Sequence, residues 1–243
     1  MRLDIFLFEN GFCSSRSKAQ SVISEKRVKV NGEVITKPSH DIHDTDKVYV
    51  EKSTQTEFVG RGGHKLEYAL KTFSVTVNGK VCADIGASTG GFTECLLNYG
   101  AACVYAIDSG TGQLADKLKN NDKVINIEGF NARNMTTEVL DGKHADIVVM
   151  DVSFISQKLL YPAILRICRK NSEVITLIKP QFEAGRGAIG KKGIVKDDKI
   201  RKKVVSDIVA FAEEFGFEVL GVCDSPITGG DGNKEFLMYM RVK

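Results

Sequence analysis

The 243-residue chain has no tryptophan and only four prolines, and its six cysteines form no C-x-x-C pair. Cys13, Cys82, Cys95, Cys103, Cys168 and Cys223 are scattered, with no ligand spacing to the four histidines. That excludes a recognisable zinc motif and a disulfide framework, and it points to a reduced, cytoplasmic protein without a metal. Most of these cysteines sit inside apolar stretches, where a free thiol behaves as a small hydrophobe. Long apolar runs are missing too. No segment reaches the roughly 18 residues that span a bilayer, and Arg2, Asp4 and Glu9 interrupt the first ten residues, which therefore do not form a secretory leader. No membrane partner is expected. Charge of one sign is scarce as well, at 34 Lys+Arg against 31 Asp+Glu, so any basic surface must come from local crowding.

Glycine, by contrast, is plentiful, and its placement is informative. In Asp84-Ile85-Gly86-Ala87-Ser88-Thr89-Gly90-Gly91-Phe92-Thr93 an apolar strand ends in a glycine-rich turn that opens a helix. Such a turn lets backbone approach a ligand closely. A dinucleotide site asks for glycine at the second position of G-x-G-x-x-G, and here that position is Ser88. The pattern suits S-adenosylmethionine better, because that cofactor has no phosphate. Asp84, Gly86, Ser88, Gly90 and Gly91 are the candidate cofactor residues of this turn. Asp108, at the end of the next strand, stands where ribose hydroxyls are gripped. Asn131 stands where an adenine edge is held, or serves as a turn residue.

The first fifty residues read as a separate α+β module. Leu3, Phe6 and Leu7 keep helical spacing, and Ser14 or Ser15 can cap a second helix with Ala19, Val22 and Ile23 on its apolar face. Val28-Lys29-Val30-Asn31-Gly32-Glu33-Val34-Ile35 is a hairpin signal around Asn-Gly. Arg16, Lys18, Lys26, Arg27 and Lys29 crowd this module, and Lys191 and Lys192 begin a second crowd that continues to Lys203. Either crowd is a nucleic-acid footprint or a solvated face. The module resembles the RNA-binding domain of ribosomal small-subunit protein S-four.

Polar residues 51–60 read as a linker, and Lys65 follows in the first turn of a helix, where a cation opposes the helix dipole. From Val81 onward strands and helices alternate, with helices expected over 92–99, 113–119, 158–167 and 200–215. The final two strands have no helix between them. This predicts a mostly parallel, Rossmann-like α/β sheet with one antiparallel strand. Asp151 and Lys179 follow two of the parallel strands, and Glu235 precedes the last one, so all three are expected at one edge of the sheet.

Lys65, Asp151, Lys179 and Glu235 match the tetrad of the FtsJ-like ribose 2′-O-methyltransferases. Together with Val59-Gly60-Arg61-Gly62-Gly63, Asp151-Val152-Ser153-Phe154-Ile155-Ser156, Lys179-Pro180-Gln181-Phe182-Glu183 and Gly232-Asn233-x-Glu235, they make the whole chain resemble the TlyA family. That family is described both as ribosomal RNA methyltransferase and as haemolysin. It often carries Trp before the valine of the junction, where this chain has Phe58.

The resemblance implies a class I methyltransferase domain over residues 64–243, an RNA-binding domain over 1–58 and a junction over 59–63. It implies S-adenosylmethionine as cofactor and ribosomal RNA or a ribosomal subunit as partner, with the protein a monomer or weak dimer. Cytidine is the implied target, and the chain ends, Met1-Arg2-Leu3 and Arg241-Val242-Lys243, favour large-subunit RNA alone. A membrane-active haemolysin and a non-catalytic RNA-binding protein are the rival readings.

The chemistry fits these residue types. A ribose hydroxyl needs a base and alignment. Lys179 is the candidate base, with Lys65 as a second cation depressing its pKa and with Asp151 and Glu235 orienting it. In the alternative, both lysines stay charged and stabilise the developing alkoxide. An exocyclic-amine methylase asks for Pro-Pro-aromatic after Asp151, and a cytosine-ring methylase asks for a nucleophilic cysteine; neither is present in the motif. Residues 185–203, with four glycines and the second basic crowd, are expected to be a mobile flap that grips RNA.

Overall fold

The computed structural model describes residues 1–13, 15–51, 58–185, 187, 189–190, 193–229 and 232–243. Two compact units divide the chain, Met1–Glu57 and Phe58–Lys243.

In the first unit, α1 (Leu3–Glu9) and α2 (Arg16–Ser24) bury Leu3, Leu7, Ala19 and Ile23 against Val28 and Val30. The Ser15 hydroxyl accepts the Lys18 N–H at 3.1 Å and starts α2. Ser14, the other expected cap, lies outside the described residues. Strands β1 (Val28–Val30) and β2 (Glu33–Val34) turn through Asn31 and Gly32, with φ of 52° and 89°. Two consecutive left-handed residues are what a two-residue hairpin needs, hence Asn-Gly. Strand β3 (Val48–Val50) completes an antiparallel sheet of order β2-β1-β3.

The second unit opens with α3 (Gly62–Thr72), β4 (Val81–Ile85), α4 (Gly91–Asn98), β5 (Cys103–Ile107), α5 (Asp116–Lys119) and β6 (Val124–Ile127). It continues with β7 (Ala145–Met150), α6 (Tyr161–Ile167), β8 (Cys168–Ile178), α7 (Pro180–Glu183), α8 (Asp198–Phe215), β9 (Phe217–Asp224) and β10 (Phe236–Val242). The strand order is β6-β5-β4-β7-β8-β10-β9, and β10 alone runs against its neighbours. Side chains alternate along each strand, so both faces of the sheet are buried. Ala83, Ile85, Val148 and Met150 pack with Tyr161, Ile164 and Ile208, while Cys82, Ile147 and Val149 pack with Leu66, Leu70 and Phe92.

Three elements differ from the sequence expectation. The helix expected over 113–119 is only the single turn of α5. Glu128 takes the reason for its start away, because its carboxylate accepts the N–H groups of Gly112, Gln113 and Leu114 and holds them in a loop. The helix expected over 158–167 begins as a 3-10 turn over Gln157–Leu160 and becomes α-helical at Tyr161. Strand β8 reaches back to Cys168, ahead of the apolar run that begins at Val174, because Cys168 pairs with Ala145 of β7, and β10 joins the ladder from Glu173 onward.

Phe58, assigned from sequence to the end of the first domain, packs in the second unit's core at 8% exposure. Its ring meets His64 edge-on at 5.1 Å and covers Gly63, where any Cβ would stand 2.2 Å from the Phe58 ring.

Candidate active site

The β-ladders bring the chemical side chains to one end of the sheet. Strands β4 and β7 pair in parallel with Ile85 beside Met150, and the Asp151 N–H donates to the Ile85 carbonyl at 3.0 Å. The turn after β4 is therefore laid directly against Asp151. At Gly86, where φ is 84°, a Cβ would lie 2.5 Å from the Asp151 carbonyl oxygen, so only glycine fits. On the other side, the antiparallel pairing of Phe236 with Ile178 puts Glu235 and Lys179 at the next step of the same ladder.

The four tetrad residues form two ion pairs. Lys65 Nζ donates to Glu235 Oε2 at 2.6 Å, with side chains 9% and 2% exposed. Gly229 makes room for that carboxylate, since a Cβ there would stand 2.4 Å from Glu235 Oε1. Lys179 Nζ lies 2.6 Å from Asp151 Oδ1, a charge contact off the hydrogen-bonding axis, and donates to Ser153 Oγ at 2.8 Å. Each lysine thus has its own carboxylate, and the buried pair explains the unfavourable position of Lys65 near the start of α3.

A cavity of about 350 Å³ opens at the carboxyl ends of β4, β5 and β7. Gly86, Ser88, Asp108, Asn131 and Asp151 of the expected cofactor residues line it. Asp84, Gly90 and Gly91 stand behind it. Gly90, with φ of 95°, passes so close to α5 that a Cβ would stand 2.2 Å from Leu118. Gly91 meets the junction backbone, where a Cβ would lie 2.9 Å from the Gly63 nitrogen. The junction is tied there as well, because the Val59 N–H donates to Glu94 Oε2 at 2.5 Å.

The carboxylates give this cavity its charge. Asp108 accepts the Ser88 N–H on one oxygen and the Gly110 N–H on the other, both at 2.8 Å. The Asn131 side chain accepts the Arg133 N–H at 3.1 Å and caps a short 3-10 turn, so it is a turn residue whose amide nitrogen has no hydrogen-bond partner among the described residues. Asp84 is fully buried and accepts the Thr93 hydroxyl at 2.6 Å, while its other oxygen has no hydrogen-bond partner among the described residues. Burial pushes the Asp84 carboxyl up to about 7 against the Thr93 hydrogen bond, and the charges of Asp151 and Asp108 push the same way. No cysteine lines the cavity, and burial raises the thiols of Cys82 and Cys95.

Some site residues escaped the sequence reading. Phe130 and Leu160 supply apolar wall, and Ser109 and Gln113 supply polar rim. Phe154 is 91% exposed, holds a left-handed φ of 64° and meets Phe182 at 5.1 Å between ring centroids. A bulky residue in that backbone region is a true outlier. Asn233 is 2% exposed; its amide oxygen accepts the Val195 N–H at 3.1 Å, and its amide nitrogen donates to the Gly193 carbonyl at 3.0 Å.

The flap expected over 185–203 does not extend over the later part of that range. Val195 is buried, and Lys199, Lys202 and Lys203 belong to α8. Arg201 is mostly buried and donates to the Val195 carbonyl at 2.6 Å while pairing with Asp198. Lys191 and Lys192 lie outside the described residues.

In the first unit, the buried Asp4 accepts from Arg2, Arg16 and Gln20. Burial alone would raise the Asp4 carboxyl, but these donors hold it well below the usual carboxylate range. Arg2 and Arg16 are thereby fixed side by side, both about half exposed; Arg2 is an addition to the expected set. Arg27 donates to the Glu51 carbonyl and pairs with Glu25. Lys26 is exposed and Lys29 half-buried, and the Lys18 backbone N–H donates to the Ser15 hydroxyl.

A seven-stranded sheet with one reversed strand next to its edge, and an acid-lined cavity at the carboxyl ends of its parallel strands, defines a Rossmann-like methyltransferase fold. The chain belongs to the FtsJ-like methyltransferase family, whose pattern matches residues 58–242, and an S4 domain matches residues 1–48. It is 43% identical to Hemolysin A of Brachyspira hyodysenteriae, over 98% of this chain and 99% of that protein. It is 40% identical to the 16S/23S rRNA (cytidine-2'-O)-methyltransferase TlyA of Mycobacterium tuberculosis, over 100% of this chain and 90% of that protein. A solved structure from Streptococcus thermophilus, provisionally named a hemolysin, matches with a TM-score of 0.79 and 40% identity, over 100% of this chain and 88% of that one.

Proposed function

We propose that this methyltransferase uses S-adenosylmethionine to methylate the ribose 2′-oxygen of a cytidine in ribosomal RNA, and that the large-subunit RNA carries the target. The observation that carries the reading is the Lys179–Asp151 pair at the wall of the cavity, with the buried Lys65–Glu235 pair at the facing ladder.

The cavity residues fit the cofactor. Asp108 and Asp151 put negative charge on the lining that suits an ammonium and a sulfonium and opposes a pyrophosphate, and Asp84, whose carboxyl is raised to about 7, is the acid a bound cation would draw into its charged form. Gly86, Ser88, Asp108, Asn131 and Asp151 would hold it, with Phe130 and Leu160 as apolar wall. When bound, it supplies a methyl group already activated for displacement.

The remaining work falls to this chain's side chains. The 2′-oxygen takes the methyl while its proton passes to Lys179 Nζ, which acts as base only after the ammonium paired with Asp151 has released one proton to solvent; Asp151 with Ser153 fixes the direction of that nitrogen. In the other form of the mechanism Lys179 stays charged and faces the developing alkoxide. Lys65 and Glu235 hold the adjoining strand end in place. Phe154, exposed beside the cavity, offers a face on which the base of the target nucleotide stacks.

Lys179→Ala and Lys179→Arg test the assignment with labelled cofactor and ribosomal RNA. Both variants are expected to lose about 100-fold or more in kcat if Lys179 is the base. An active arginine variant would support the electrostatic form, and undiminished transfer by the alanine variant would remove Lys179 from the chemistry. Mapping ribose methylation in both ribosomal RNAs, from cells with and without the protein, identifies the nucleotide; a small-subunit site would correct the large-subunit assignment. Hemolysin names among the relatives suggest a second activity, but among the described residues no helix is long and apolar enough to cross a membrane.

A further inference from the structure

The outer face of the first unit's sheet carries an arrangement that methyl transfer does not use. Lys29 on β1 stands opposite Tyr49 on β3 and opposite Val34 on β2. The side chains of Val28, Val30, Val48 and Val50 turn to the core, so Val34, Lys29 and Tyr49 form a row across the opposite face. Tyr49 is 59% exposed and Val34 47%. Lys47, two residues before Tyr49, joins the same face by strand alternation. Lys29, Lys47 and Tyr49 border an open hollow of about 590 Å³, floored by the Asn31-Gly32 turn.

The charges in this hollow are uncommitted. Neither the Lys29 nor the Lys47 ammonium has an ion pair or hydrogen bond among the described residues. Asp46, next to Lys47 in the chain, is occupied at the edge of the hollow: it accepts from the Asn31 amide at 2.8 Å and from the His43 N–H at 2.8 Å. An exposed aromatic ring flanked by two free cations matches one ligand chemistry closely. An unpaired nucleotide presents a flat π-face for the ring and a phosphate on either side for the cations, whereas a paired one keeps its face covered by its neighbours.

We propose that this sheet face binds one unpaired nucleotide of the RNA substrate, with its base stacked on Tyr49 and its flanking phosphates on Lys29 and Lys47. The inference rests on the reading that the protein acts on RNA, and it adds a structural requirement: the substrate must expose a single-stranded residue in addition to the methylated one.

The test uses the full-length protein, a short labelled single-stranded RNA rich in cytidine, and a duplex of equal length, followed by fluorescence anisotropy. Tyr49→Ala is expected to weaken single-strand binding about 5- to 150-fold, the contribution of one base–aromatic stack, while Tyr49→Phe keeps it within about twofold. Duplex binding should be unchanged by either substitution. Lys29→Ala with Lys47→Ala should reduce the slope of log affinity against log salt by about 1.4, as two phosphate contacts on a single strand require. Equal single-strand affinity of Tyr49→Ala and the parent would overturn the proposal. An equal loss on duplex would also overturn it, and would assign the face to backbone contact. Lys179→Ala separates the two readings, because it should keep single-strand binding while losing methyl transfer.

Discussion

Lys65 and Glu235 lie 170 residues apart in the chain and meet in a 2.6 Å ion pair that is almost wholly buried. Their pairing joins α3 to the start of β10, which are the two ends of the catalytic unit's sequence.

Removal of one member of such a pair leaves a buried charge alone, which costs about 3–5 kcal/mol. Glu235→Gln is therefore expected to lower Tm by several degrees. Lys65→Met combined with Glu235→Leu should recover most of that loss without recovering methyl transfer. Calorimetry and a labelled-methyl assay on the same preparations check both halves, and a fully stable single variant would show that the pair does not hold the fold.

Asp84 gives the protein a pH dependence of known sign. Its carboxyl is raised to about 7 by burial, so the fold favours the protonated form. The stability from this form is complete below the unfolded value near 4 and is lost as pH rises toward 7, about 1.4 kcal/mol per unit. Asp84→Asn should flatten that part of the Tm profile in cofactor-free protein. A cationic ligand favours the carboxylate, so affinity for S-adenosylmethionine should rise with pH up to about 7 and then level. Titration calorimetry across this range decides it, and a flat profile in the parent protein would place Asp84 out of the ligand's influence.

Gly86→Ala should abolish cofactor binding. Its φ of 84° and the 2.5 Å approach of the Asp151 carbonyl to any Cβ force the turn away from β7. The backbone strain alone costs about 1–3 kcal/mol. Loss of binding with a modest fall in Tm is the expected pattern, and it is measured by titration and thermal unfolding.

Asn233→Ala should strip two hydrogen bonds from the segment Gly193 to Val195 and leave the buried Val195 N–H unsatisfied, a cost of about 1–3 kcal/mol. Because this segment leads into the lysines of α8, KM for RNA is expected to rise more than kcat falls, with cofactor affinity intact. A purely structural role would lower the amount of active enzyme and leave KM unchanged.

Most of the architecture was legible because it rests on local rules: the Asn31-Gly32 hairpin, the Ser15 cap, and the alternation of strand and helix from Val81. The errors came where a distant partner overrides a local pattern. Nothing near residue 113 announces that Glu128 will hold three backbone N–H groups and shorten α5. Nothing near Lys65 names Glu235 as its partner, so the expected pair of neighbouring cations became two separate ion pairs. Phe154 belongs to the Asp151 to Ser156 motif, but its exposure and left-handed backbone are properties of the folded chain that the motif does not announce. The Asn233 side chain was unreadable for a similar reason: its two partners lie about forty residues earlier.

The reversed direction of β10 sets a rule for which length changes the enzyme can survive. Glu235 reaches Lys179's end of the sheet because β10 begins where β8 finishes, with Phe236 facing Ile178. A residue inserted in the turns after β9 leaves this rung alone. One inserted within β10 reverses the inward and outward sense of everything on one side of it, because strand side chains repeat in twos. Engineered variants should therefore hold a constant count from Glu235 to the end of the strand and keep Gly229 against the Glu235 carboxylate.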